Sequence, residues 1–393
     1  METLHQSPTE PAFVQDPYGF YDRARAAGDL VHWADYGMAA ATTHAAVSAV
    51  LRDRRLGREV PRERATPPAA HILDFHGVET HSMLELEPPR HTRLRALVLR
   101  AFTSRRIAAL GPEIESLCHS LIDSLEGEVE LLSTYAQTVP VIVIARLLGV
   151  PDSLAPQLLA WSNAMVGMYQ AGRSPAMEHA ANTAARDFTS FLRGYVEQRR
   201  TRPADDLITH LIAAEQDGAR LSTDELIATC VLLLNAGQEA TVHSLGNGVK
   251  CLLEHRTDPA ALGPGRIGAT VEEILRFDPP LHMFTRWVYE DITLFGERFR
   301  RGDRIACLLA SANRDAAAYD RADRFDPART GPAHTSFGAG THFCVGAPLA
   351  RLELQIALRA LFQRHPGITL AAAPRYGDIY HFHGLQRLDV TMG

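Results

Sequence analysis

Cys344 is the residue whose setting first suggests chemistry. It lies in Phe337-Gly338-Ala339-Gly340-Thr341-His342-Phe343-Cys344-Val345-Gly346, where three glycines surround a single thiol. Glycine at that density suits a tight loop whose backbone must come close to a ligand. Pro348 follows, at the first turn of the last long helix that the pattern predicts, so Cys344 stands at a helix N-terminus. The helix dipole and the free N–H groups there favour a thiolate over a thiol. A thiolate that accepts backbone hydrogen bonds on a glycine-lined loop is a soft ligand suited to iron. A lone cysteine beside a turn is more often an inert buried thiol; the ten-residue pattern is what weighs against that reading.

Three other groupings are spaced for a joint role. Glu273 and Arg276 stand at i, i+3 on one helix face, where they can pair. Spacing of this kind also describes many surface ion pairs of little energetic weight. His91 and Arg95, at i, i+4, can hold one anionic group between them. The third grouping is Ala236-Gly237-Gln238-Glu239-Ala240-Thr241, which places two small residues and one acid in the middle of a long apolar helix.

The elements that must carry these groups are mostly helical. The pattern predicts helices over 17–27, 43–51, 90–101, 104–125, 135–149, 154–170, 176–200 and 204–214. A further helix opens at Ser222 or Thr223, with acidic residues in its first turn, and runs to about His255. Its centre, Leu232-Leu233-Leu234-Asn235-Ala236-Gly237, is apolar on all sides and belongs in a core. Helices over 267–277 and 347–364 complete the set. Period-two stretches predict strands at 30–33 and 38–41, then at 284–289, 292–294 and 304–309, with a Gly296-Glu297 hairpin turn. The fold class is mainly α with a minor β-region.

Composition bounds the rest. The 393 residues carry a net charge of −6, which gives no global reason to expect nucleic acid. Neither repeat nor linker divides the chain, so one domain is expected over 1–393. The basic charge is almost all arginine, with Lys250 the one lysine. Clusters at Arg52, Arg54, Arg55, Arg58, Arg62 and Arg64, and at Arg100, Arg105 and Arg106, read as solvated surface or as a docking patch for an acidic protein. The amino terminus has no signal-peptide pattern, and no apolar run approaches the roughly 20 residues of a membrane span. The five widely spaced cysteines argue against a disulfide framework and for a reducing cytoplasm.

The 337–346 segment resembles the haem-binding loop of cytochromes P-450, Phe-Gly-x-Gly-x-His-x-Cys-x-Gly, at every fixed position. The chain has the length of the soluble bacterial type, so the resemblance covers essentially all of it. It implies the cytochrome P-450 fold, with a long central helix over the haem. It implies heme b (iron protoporphyrin IX), with Cys344 as axial iron ligand and O2 as cosubstrate. Phe337, Gly338 and Gly346 then shape the cofactor loop, and Glu273, Arg276 and Arg324 form a buried ion network. Asn313-Arg314-Asp315 also matches the family, with Ala316 where a proline is usual. His91 and Arg95 are implied at one haem propionate, Arg286 and His342 at the other. Ala236 and Gly237 are implied to let the helix pass close over the haem and leave a groove for O2, with Glu239 relaying protons.

One position departs from the family. Ala240 stands where a threonine hydroxyl usually assists proton delivery to oxygen, and Thr241 is rotated about 100° from it. Ser244 lies one turn on, near the same face but far along it. Protons must then travel by water, by Glu239 or by a hydroxyl of the substrate. The resemblance implies a monooxygenase that hydroxylates a medium-sized hydrophobic small molecule, with electrons from a ferredoxin or flavodoxin-type partner and its reductase. The alternatives are a peroxide-driven peroxygenase, a biosynthetic oxidase using substrate-assisted protonation, and a haem-thiolate sensor without turnover. A substrate pocket is expected from Met83, Leu84, Met165, Met168, Tyr169, Leu233, Asn235, Ala236, His282, Met283, Phe284 and the stretch Tyr380 to Phe382. The expected state is a cytoplasmic monomer, free of membrane and nucleic acid.

Overall fold

The longest element is the helix Thr223–Glu254, 32 residues and about 48 Å at 1.5 Å per residue. A reciprocal cap starts it: the Glu225 backbone N–H donates to Ser222 Oγ (3.2 Å), and the Ser222 N–H donates to Glu225 Oε2 (2.9 Å). Two of the otherwise unsatisfied N–H groups are thereby paired. The computed structural model describes residues 1–393 other than 171 and 217. They group into two compact units built from interleaved segments. The first takes Met1–Arg64, Glu115–Ala136 and Ala240–Gly393; the second takes Ala65–Ile114 and Gln137–Glu239.

The first unit holds a six-stranded sheet. Its strands are β1 (Glu2–Leu4), β2 (Leu30–Trp33), β3 (Met38–Ala41), β4 (Leu56–Gly57), β5 (Met283–Val288) and β6 (Arg304–Leu308), in the order β1-β2-β3-β6-β5-β4. The 30–33 and 38–41 strands form the expected antiparallel pair, Leu30 opposite Ala41 and Trp33 opposite Met38. Alternation along each strand sorts side chains between two cores. Ile305 and Cys307 join Leu30, Val47, Leu51 and Val288, whereas Ala306 and Leu308 join Phe13, Tyr21, Trp33 and Tyr380. Both faces are covered, and β6 is therefore apolar on both sides. Helices Ile267–Phe277 and Ala347–Arg364 belong to this unit and match their expected spans.

The second unit is helical, apart from one two-residue hairpin. Helix Pro175–Thr201 packs against Ala155–Val166, with Trp161 stacked on Phe188 at 5.1 Å. Helix Thr138–Leu148 stops at Gly149 in the left-handed region, where a Cβ would overlap the Asp206 carboxylate.

Some expected boundaries shift. The single helix expected over 104–125 is two, Ser104–Ala109 and Gly111–Ile122. Pro112 opens the second, because it has no N–H to continue the first. Strands β1 and β4 and the helix Leu73–Glu79 are too short for periodicity to reveal. Among the described residues, no helix is long and apolar enough to cross a membrane.

Candidate active site

Cys344 lies two residues before Gly346, the N-cap of helix Ala347–Arg364, so the dipole argument holds locally. Its N–H donates to the Phe337 carbonyl (2.9 Å), and the Gly338 N–H donates to the Thr335 carbonyl (2.8 Å), which closes the loop on itself. Gly340 has φ +67°, and a Cβ there would meet the Leu51 carbonyl oxygen at 2.5 Å. A side chain is excluded both by conformation and by this close approach. Gly346 lies beside the thiol, where a Cβ would stand at an ordinary contact distance of 3.8 Å from Cys344 Sγ. The other four cysteines are fully or almost fully buried, and Cys344 is the partly exposed one. Burial pushes the thiols of Cys118 and Cys307 up to about 11 and that of Cys230 to about 12, and it raises Cys251 as well. Those four are inert; Cys344 has the setting of a ligand.

A buried polar network holds the loop. Arg276 grips Glu273 with two hydrogen bonds of 2.7 Å, and each side chain is 3% exposed. The same guanidinium donates to the carbonyls of Asn313 (2.7 Å), Ala322 (2.9 Å) and Arg324 (3.0 Å). Asn313 Oδ1 accepts from the Thr335 N–H (2.7 Å), and its Nδ2 donates to Ser336 Oγ (2.8 Å). Ser336 in turn donates to the Leu275 carbonyl (2.7 Å). The helix bearing Glu273 and the lead-in to the cysteine loop are thus one hydrogen-bonded assembly, with every buried charge paired.

The expectation for the third arginine needs correction. Arg324 contributes its carbonyl, and the second guanidinium on Glu273 is that of Arg329, at 3.2 Å. Five residues further on, the chain has turned back toward the helix, and the Arg329 side chain also donates to the Arg324 carbonyl (2.7 Å).

Arg351 is a site residue that sequence reasoning missed, because no spacing marks it among so many arginines. Its guanidinium lies 4.6 Å over the Phe337 ring and donates to both carboxylate oxygens of Glu272, at 2.6 and 2.9 Å. Glu272 holds the Arg351 pKa up against the effect of burial, with a smaller contribution from the charge of Cys344. Burial alone would raise Glu272, but Arg351 and His334 outweigh it and bring the carboxyl down to about 2. Arg351 is therefore a fixed cation stacked on the first residue of the cysteine loop.

The anion-binding candidates fall on both units. In the first, Arg286 lies on β5, is 2% exposed and donates to the Thr285 carbonyl (2.9 Å); His342 ends the turn Gly340–His342. In the second, His91 (2% exposed) and Arg95 share a face of helix Arg90–Ala101, which Arg93 anchors to Glu225.

The middle of the long helix divides into packed and open positions. Gly237 is explained by packing: a Cβ there would stand 3.1 Å from Ile144 of the helix Thr138–Leu148. Ala236 is exposed, Glu239 and Ala240 are half-buried, and Thr241 is buried. Asn235 Nδ2 contacts Met165 Sδ at 3.8 Å. The Ser244 hydroxyl donates to the Ala240 carbonyl (2.7 Å) and is thereby committed to the backbone.

The residues 267–366 match the family model described as Cytochrome P450. Over the whole of both chains, the sequence is 36% identical to "Polyketide biosynthesis cytochrome P450 PksS" of Bacillus subtilis (strain 168). The chain belongs to the cytochrome P450 family. It is 38% identical to "Vitamin D(3) 25-hydroxylase" of Pseudonocardia autotrophica, over 97% of this chain and 95% of that one. Among solved structures it resembles P450BioI, crystallised with an acyl carrier protein ligated to hexadec-9Z-enoic acid. The TM-score is 0.90 at 33% identity, over 97% of this chain and 100% of that one.

This P450 is an enzyme of the monooxygenase family, whose members hold haem iron through a cysteine thiolate. Its own residues fit that group: one partly exposed thiol near a helix N-terminus, a glycine loop closed around it, and the buried Arg286 guanidinium in the same unit as a donor for a carboxylate.

The structure places the residues expected at the pocket as follows. His282, Met283 and Tyr380 belong to the core of the first unit, beside Tyr21, Trp33 and Phe13. The aromatic residues of the first forty positions need partners there, and sequence distance hides that demand. Phe284 packs against the Gly338 backbone and lies under Arg58, and Phe382 lies 6.3 Å from the His243 ring. Met83, Met168 and Leu233 are buried in the second unit, with Leu84 half-buried.

Proposed function

We propose that this chain is a haem-thiolate monooxygenase that hydroxylates a medium-sized hydrophobic small molecule, with electrons delivered by a ferredoxin or flavodoxin-type partner. The observation that carries this reading is Cys344, the one partly exposed thiol, fixed on a glycine loop and neighboured by the Arg351 cation. Cys344 would hold the iron, with Arg286 and His342, and His91 and Arg95, as donors to the two propionates. The bound haem supplies activation of O2 for insertion of one oxygen atom into a C–H bond. The work of the chain's own residues is to hold the thiolate, neutralise carboxylates and bring protons. Glu239 is the acid that carries protons in from solvent along the helix. The relatives act on a polyketide pathway and on vitamin D(3), which supports a bulky apolar substrate here.

Loss of the usual threonine supports a second reading, oxidation with protons supplied partly by the substrate's own hydroxyl. Ala240 has no hydroxyl, and that of Ser244 is committed to the Ala240 carbonyl. The acidic clustering of a redox partner suits the arginines at 52–64 as its docking patch.

Absorbance tests the proposal. The reduced protein under carbon monoxide is expected to show the red-shifted Soret band of thiolate ligation. Substrates are expected to move the ferric Soret band to shorter wavelength as water leaves the iron. A freshly purified protein without the carbonmonoxy band overturns the reading.

A further inference from the structure

A second cluster with ligand chemistry lies inside the first unit, apart from Cys344. Asp278 caps the C-terminal end of helix Ile267–Phe277, His282 leads into β5, and His383 lies in the C-terminal loop. Their exposures are 2%, 0% and 1%. One oxygen or nitrogen from each lies within 4.8 Å of the others, and His383 Nε2 stands 3.8 Å from Asp278 Oδ1.

The hydrogen bonds identify which atoms are uncommitted. Asp278 Oδ2 accepts from the Tyr376 hydroxyl (2.5 Å) and lies 3.4 Å from Lys250 Nζ, whereas Oδ1 has no hydrogen-bond partner among the described residues. Tyr21 donates its one hydroxyl proton to Tyr380 (2.9 Å). Tyr21 Oη lies 2.9 Å from His282 Nδ1, which engages that nitrogen whichever of the two carries the proton. His282 Nε2 has no hydrogen-bond partner among the described residues. Such a group is costly unless something binds it. A ring whose far nitrogen is hydrogen-bonded to a fixed oxygen is also how metal-ligating histidines are oriented.

His383 Nδ1 has no hydrogen-bond partner among the described residues, and Nε2 faces Asp278 Oδ1. The His383 ring stacks on Tyr376 at 3.7 Å, and its backbone bonds to Pro280 and to Asn247 Nδ2. Burial, and then the charges of Lys250 and Arg314, push the His383 pKa well down; burial and the neighbouring histidine do the same for His282. Lys250 also lies 3.2 Å from Glu254 Oε2, so its charge is shared and does not exhaust that of Asp278.

We propose that Asp278, His282 and His383 form a site for a zinc-type divalent cation, with water as the fourth ligand. One carboxylate and two imidazoles are a zinc donor set, and bond lengths of about 2.0–2.2 Å require only that the three side chains draw together. The ion would pin the C-terminal loop to residues 278–283 on either side of the Leu281–Phe382 bridge. Its influence on Phe382 as a pocket wall rests on the monooxygenase reading; zinc binding itself does not.

Elemental analysis of the full-length, haem-loaded protein after equilibration with micromolar zinc chloride tests the site. The wild type is expected to retain about one zinc per chain, and His383→Gln and Asp278→Asn less than about a tenth of that. Anomalous scattering at the zinc edge from wild-type crystals is expected to place a peak between the three side chains, which decides the matter if a variant fails to fold. Wild-type protein without zinc, a peak elsewhere, or equal retention by both variants overturns the site. Substrate affinity, read from the Soret shift, is expected to fall when zinc is removed; unchanged affinity with zinc bound overturns the pocket role alone.

Discussion

The cysteine loop and the middle of the long helix are both short stretches containing glycine, and they are built on opposite terms. In the loop, nearly every polar group has a partner that fixes it: Cys344 N–H on Phe337, Gly338 N–H on Thr335, Asn313 on Thr335 and Ser336, Arg276 on Glu273. In the helix the partners are side chains of neighbouring helices, with Ser162 donating to Gln238 Oε1 (3.4 Å) and Asn235 Nδ2 against Met165 Sδ. Gly237 is set by Ile144, Ser244 is bonded to the Ala240 carbonyl, and position 240 offers only a methyl group. The cysteine loop is over-determined by these bonds, which suits a ligand whose geometry cannot vary. On the proposed reading, proton delivery past Ala240 would fall to Glu239, water or the substrate.

Substitutions can sharpen that contrast, and Cys344→Ser has the largest expected effect. It is expected to abolish the red-shifted carbonmonoxy band and turnover together, because on the proposed reading the soft thiolate of Cys344 is the iron ligand. Next comes Glu273→Ala, which strands two buried guanidiniums. Removing one partner of a buried pair costs about 3–5 kcal/mol, so thermal unfolding and haem retention should both drop sharply. Arg329→Ala is expected to follow the same direction at smaller size. Arg324→Ala should leave the melting temperature nearly unchanged, since only its carbonyl takes part.

On the helix, Ala240→Thr restores the hydroxyl. If the substrate supplies protons, the added group crowds it and the coupling of electrons to product falls; unchanged or improved coupling removes the substrate-assisted reading.

A pH-dependent effect concerns Glu353 in helix Ala347–Arg364. Burial pushes its carboxyl up from 4.5 to about 8. The folded chain keeps a proton that the unfolded chain releases, so this stabilisation is complete at pH values below the unfolded pKa. It is lost as the pH rises through the folded value. Glu353→Gln stays neutral throughout, and its melting temperature is expected to gain on the wild type by a few degrees as the pH is raised across that window.

The residue pattern alone determined the helical class, the 30–33 and 38–41 hairpin, the spans 267–277 and 347–364, and the loop around Cys344. These follow from periodicity and from glycine and proline positions, which act over a few residues. The tertiary structure decided what depends on residues distant in sequence. Arg329 rather than Arg324 completes the Glu273 network, Arg351 stacks on Phe337 of the cysteine loop, and His282 and Tyr380 serve the core. It also brought Asp278, His282 and His383 together across about a hundred residues. Partnership among buried polar groups is a property of packed space: which donor reaches which acceptor is settled only when the chain has folded and water has been excluded.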